Sequence, residues 1–96
     1  MSLPVPIQKS VTINATQLAE LCVGYLAENS DELLRFMDFV GYDPASLRLS
    51  VGSTQLNSGL IDYFASNESI LLALCANAGI TPEQFMRVWA KQNPAG

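Results

Sequence analysis

The side chains able to do chemistry in this chain are few. Histidine is absent, which removes the usual general base, the usual nitrogen ligand for zinc and every Ser–His or Cys–His nucleophile. A catalytic site would have to rest on carboxylates, and most of these have helical work. Asp31, Glu32, Glu68 and Glu83 fall in first helical turns, Asp43 stands at a cap, and Asp31–Arg35 and Glu83–Arg87 are spaced as i,i+4 pairs. Glu20, Glu28, Asp38 and Asp62 remain; they follow no calcium-loop or metal-motif spacing and read as solvated surface. Cys22 and Cys75 lie in apolar helical patterns without basic neighbours or a CxxC arrangement. They read as buried thiols in a reducing compartment rather than as redox groups or a disulfide. Tyr63 and Trp89 sit at helical spacing and read as core. The expectation is a protein that is not an enzyme, with no cofactor and no metal.

Binding chemistry is bounded by charge. With five basic against nine acidic residues the net charge is −4 and the pI about 4.4, so phosphate-driven binding to nucleic acid is disfavoured. Arg48, Arg87 and Lys91 lie on helices that follow proline turns, which keeps a helix-turn-helix-like nucleic-acid reader as the alternative to a protein-contact module. A small-ligand binder without catalysis is the second alternative. Single glycines scattered along the chain build no phosphate loop. Gly24 and Gly59, inside predicted helices, are expected to mark close helix crossings, with the approach of a ligand as the alternative.

The elements that must position these groups are all helical. Ninety-six residues, 49% of them apolar and 15% charged, make one domain with a modest core. Residues 1–13, with Pro4 and Pro6, form an arm or tail, and a helical domain spans 14–93. Asn14 with Gln17 opens a helix over about 15–28 along Leu18, Leu21, Cys22, Tyr25 and Leu26. Asn29 or Ser30 caps a second helix over about 31–40, with Leu33, Leu34, Met37 and Val40 inward and Gly41 as its stop. Asp43-Pro44 opens a short third helix through Leu47 and Val51. A fourth starts at Ser53 or Thr54, a fifth runs from Glu68 to Gly79, and Thr81 with Gln84 caps a sixth that turns Phe85, Val88 and Trp89 inward.

GYDPASL from Gly41 is echoed by GITPEQF from Gly79, 38 residues later. At the same offset Leu18 meets Leu56, Tyr25 meets Tyr63, Asn29 meets Asn67, Leu33-Leu34 meet Leu71-Leu72 and Pro44 meets Pro82. Two similar three-helix units, halves 14–52 and 53–93, would share one core. The fifth helix, with Ile70-Leu71-Leu72-Ala73-Leu74-Cys75-Ala76, is apolar nearly all round. Such a helix is buried on all sides or lies at an interface, here the seam of a homodimer. Candidate interface residues are Phe39, Tyr42 and Leu49 near helix ends, and Ile70 and Leu74 on the fifth helix. Neither a signal-peptide pattern nor an apolar run of membrane-spanning length is present, and a cytoplasmic location is expected.

LAENSDELLRFMDFVGYDPASLR followed by GLIDYFASNESILLALCANAGITPEQF resembles the small bacterial proteins, mostly alphaproteobacterial, grouped as domain of unknown function 3572. The resemblance covers about residues 18–87. It implies a small all-helical protein, and brings no activity, cofactor, partner or site residue with it.

Overall fold

A computed structural model describes residues 13–94. Six helices follow one another: α1 Ala15–Ala27, α2 Ser30–Val40, α3 Pro44–Ser50, α4 Thr54–Ala65, α5 Glu68–Ala78 and α6 Pro82–Gln92. No strand occurs among the described residues. Of the arm or tail expected over 1–13, all but Ile13 lies outside them.

The helix ends are set by local chemistry. Asn14 and Thr81 each accept from the backbone N–H three residues on, at 2.8 and 3.0 Å, and Gln17 and Gln84 return the bond to the cap backbone. These two capping boxes satisfy helix-end groups that would otherwise want water. Asp43 caps α3 through the Ser46 N–H at 2.7 Å, and those donors hold its carboxyl below the usual range. Ser53 caps α4 through the Leu56 N–H. Asn29 and Asn67 occupy cap positions without capping by side chain. Each turns its amide back instead, donating to the Tyr25 and Tyr63 carbonyls at 2.8 and 2.7 Å. Gly41 and Gly79 end α2 and α5 in the left-handed region, at φ 79° and 73°. There each backbone N–H returns to the carbonyl four residues back, and the next residue's N–H shares that acceptor.

α1 and α4 lie against each other at the centre. α1 also packs on α2 and α5, while α4 packs on α5 and α2 in turn. The third helices break this correspondence. α6 packs on both α4 and α5, whereas α3 has no packing of that extent on any helix and buries no residue completely. The core gathers Leu18, Cys22 and Leu26 of α1, Phe36 of α2, Leu56, Leu60, Ile61 and Phe64 of α4, Leu71, Leu74 and Cys75 of α5, and Phe85 of α6. Aromatic edges run through it: Tyr25 on Phe64 at 5.6 Å, Phe36 on Tyr63 at 5.3 Å, Phe64 near Phe85 at 6.4 Å.

Three expectations are corrected. Leu34 is 60% exposed and Phe36, two residues on, is fully buried in its place. α5 is not enclosed on all sides: Ile70, Leu71, Leu74 and Cys75 face the core while Leu72 and Ala76 face out. Gly24 marks no crossing, because a Cβ there would meet open space; a Cβ at Gly59 would meet Val40 of α2 at an ordinary 3.6 Å.

Candidate functional site

Two carboxylates, Glu32 and Asp62, act as clasps between helices. Glu32, expected only to serve the start of α2, accepts the Tyr63 hydroxyl of α4 on Oε2 at 2.6 Å and Arg35 on Oε1 at 2.9 Å. That i,i+3 contact replaces the expected Asp31–Arg35 pair, and among the described residues it is the ion pair found. Burial, the hydrogen bond to Glu32 and the charge of Glu32 together push the Tyr63 hydroxyl up to about 12. Asp62, expected to be solvated surface, accepts the indole N–H of Trp89 at 2.9 Å and the Gln92 amide at 3.3 Å. Gln92 also reaches the Ser58 carbonyl, and Asn93 folds back on the Trp89 carbonyl. This network ties the outer side of α6 to α4.

The two cysteines are free and buried. Burial pushes the Cys22 thiol up to about 12, with the charge of Cys75 adding to it, and burial raises Cys75 as well. Thiols held this firmly in the neutral form are poor nucleophiles. Among the described residues no group of three His, Cys, Asp or Glu side chains is placed to hold a metal ion.

What the fold leaves open is apolar. Between α3 and the helices α1, α2 and α4, a cavity of about 140 Å³ is lined by Val23, Leu26 and Ala27 of α1, Leu33 and Phe36 of α2, Leu47 and Val51, and Leu56 and Leu60 of α4. Its wall presents almost no polar surface. It opens among Val23, Ala27 and Val51, which are exposed. A neighbouring hollow shares Val23 and Val51 with it and is lined further by Thr16, Ala19, Glu20, Gly52 and Asn57; Glu20 is the one ionisable side chain on either wall. A larger hollow of about 540 Å³ beside Ile13, Leu21 and Ile80 is broader, but its Gln17 and Gln84 are already spent on the capping boxes.

A family model described as protein of unknown function (DUF3572) matches residues 13–95. The chain belongs to this family. No curated protein and no solved structure matches it. The match extends the resemblance read over 18–87 at both ends.

In this DUF3572 chain the candidate interface residues divide by side. Leu49 is 88% exposed and Phe39 58% exposed, although the Phe39 ring leans on Tyr63 at 5.2 Å. Tyr42 is half-buried against the core. Ile70 and Leu74 are buried within the chain itself. The structure does not bring the five together as one surface: they lie on α2, α3, α5 and the turn after α2. Val23, Ala27 and Val51 were missed as a surface. Their signal lay in the short α3, whose Leu47 and Val51 stand 38 residues before the bulkier Phe85 and Trp89 of α6. No helix among the described residues is long and apolar enough to cross a membrane.

Proposed function

We propose that this chain is a protein-contact module without catalysis, and that its docking face is the apolar hollow bounded by α1 and the end of α3. One observation carries this reading: a cavity of about 140 Å³ with an almost wholly apolar wall opens to solvent among Val23, Ala27 and Val51. Such a wall offers a substrate no hydrogen bond and no charge, but rewards an apolar group that leaves water. Neutral, buried Cys22 and Cys75 and carboxylates spent on Tyr63 and Trp89 favour contact over chemistry. Two free thiols also suit a cytoplasmic setting. A nucleic-acid partner is disfavoured by the net charge of −4.

Co-purification with tagged wild-type and Val51→Lys chains tests the reading. Val51 is 57% exposed, so a lysine there is tolerated by the fold. The expected result is a stoichiometric protein partner on the wild type that is absent from the variant. A partner retained equally by both, or bound nucleic acid in place of protein, would overturn the reading. A second copy is one form the partner can take, visible as a mass doubling in light scattering that Val51→Lys abolishes.

A further inference from the structure

We infer that the occupant of this hollow is an amphipathic helix of a partner protein, seating one aromatic side chain in the cavity and placing a basic residue near Glu20. The inference rests on the contact reading above and adds the chemistry of the partner.

Three observations lead to it. The first is size. An apolar cavity of about 150 Å³ takes up a benzene, and this one measures about 140 Å³, so it suits a single phenyl or indole edge. The second is the contrast between α3 and α6. α3 and α6 both start on a proline that follows a left-handed glycine, 38 residues apart. α6 runs 11 residues and presses Phe85 and Val88 into the core, whereas α3 stops after 7 and offers only Leu47 and Val51. The hollow lies beside this shorter, less bulky helix, with Leu47 and Val51 on its wall. The third is the approach. Gly24 lies mid-helix on α1 beside Val23 and Ala27, and nothing in the chain comes within 4 Å of where its Cβ would stand. A mid-helix glycine costs about 1 kcal/mol against alanine, and no internal packing at Gly24 explains it. Bare backbone there lets another helix lie close to α1. The charge agrees: Glu20, on the neighbouring hollow that shares Val23 and Val51 with the cavity, is the one ionisable group on either wall, and the chain as a whole is acidic, so a basic flank on the incoming helix is attracted.

The test uses the chain's own α6 segment, an amphipathic helix with an aromatic side chain, as the probe. A fluorescent peptide of residues 80–94, ITPEQFMRVWAKQNP, is titrated with the full chain and its anisotropy followed. Saturable binding is expected, weakened about tenfold or more by Phe85→Ala in the peptide, since each 1.4 kcal/mol is a factor of ten. Gly24→Gln in the chain improves helix propensity while covering the approach; it should raise the melting temperature yet abolish binding. Glu20→Lys should weaken binding and flatten its salt dependence. No saturable binding, or binding that ignores Gly24→Gln because the peptide merely replaces the chain's own α6, would overturn the inference. If the peptide fails while Val51→Lys still strips a partner in co-purification, the contact reading stands and the helical partner falls.

Discussion

The Tyr63 hydroxyl on α4 reaches across to Glu32 on α2 at 2.6 Å, and Arg35 holds the other carboxylate oxygen at 2.9 Å. The Glu32 side chain is only 14% exposed, so a hydroxyl taken away leaves part of the charge unpaired with limited access to water. Tyr63→Phe should cost roughly 1.5–3 kcal/mol, the range for hydrogen bonds to charged groups. Glu32→Gln keeps an acceptor and should cost less. Urea titration reads both as a lower midpoint at unchanged slope; a Tyr63→Phe chain as stable as the parent would mean that water replaces the hydroxyl fully.

The same contact sets an alkaline limit. Tyr63 titrates at about 12 in the folded chain against 10 as a model phenol, so the folded state holds its proton more tightly than the unfolded one. Its contribution is complete below pH 10 and is lost as pH rises through 10 to about 12. Denaturation midpoints should fall over that window in the parent and fall less steeply in Tyr63→Phe. The slope that persists in the variant reports the two buried thiols, Cys22, raised to about 12, and Cys75, raised in the same direction by burial; Cys22→Ala should remove the Cys22 part and leave that of Cys75.

Asp62 and Trp89 are joined by a charge-assisted bond of 2.9 Å, and Trp89 is the only tryptophan in the chain. Its fluorescence therefore reports how α6 sits on α4. Asp62→Ala strands the indole N–H and releases Gln92 from the same oxygen, with an expected loss of about 1–3 kcal/mol and a red shift of emission as the ring meets water. Asp62→Asn retains an acceptor and should hold the emission close to that of the parent. A red shift of equal size in both variants would show that the negative charge, rather than the acceptor, seats the indole.

Helix ends were legible because the interactions that set them span three or four residues. Asn14 with Gln17, Asp43 before Pro44, Thr81 with Gln84, and Gly41 and Gly79 could all be placed from spacing alone, and the structure puts each at its cap. Which face of α2 turns inward was not legible in the same way. Leu33, Leu34, Phe36, Met37, Phe39 and Val40 surround that helix, so periodicity alone supports more than one stripe. The offset of 38 held the missing signal: Phe36 falls on Leu74 and both are buried, while Leu34 falls on Leu72 and both are exposed. The clasps at Glu32 and Asp62 join residues 27 to 31 apart, and no local pattern announces a partner at that distance. The apolar hollow was hidden for a further reason. It arises from how little α3 packs, a property of the assembled helices rather than of any one of them.

Glycine substitutions separate backbone need from packing need. Gly41 and Gly79 sit at φ 79° and 73°, and a Cβ at either would meet nothing within 4 Å. An alanine there clashes with no neighbour, and its whole cost is the left-handed backbone, about 1–2 kcal/mol. Gly24 is equally open but lies within α1 at no left-handed angle, so Gly24→Ala should stabilise by about 0.8–1 kcal/mol through helix propensity. In a domain of this size each kcal/mol moves the melting temperature by about 4–8 °C. The three variants should therefore part clearly in one thermal scan, two below the parent and one above. A Gly24→Ala chain that melts below the parent would mean that α1 meets a neighbour at that point in solution, and light scattering on the same sample would then show whether the neighbour is a second copy.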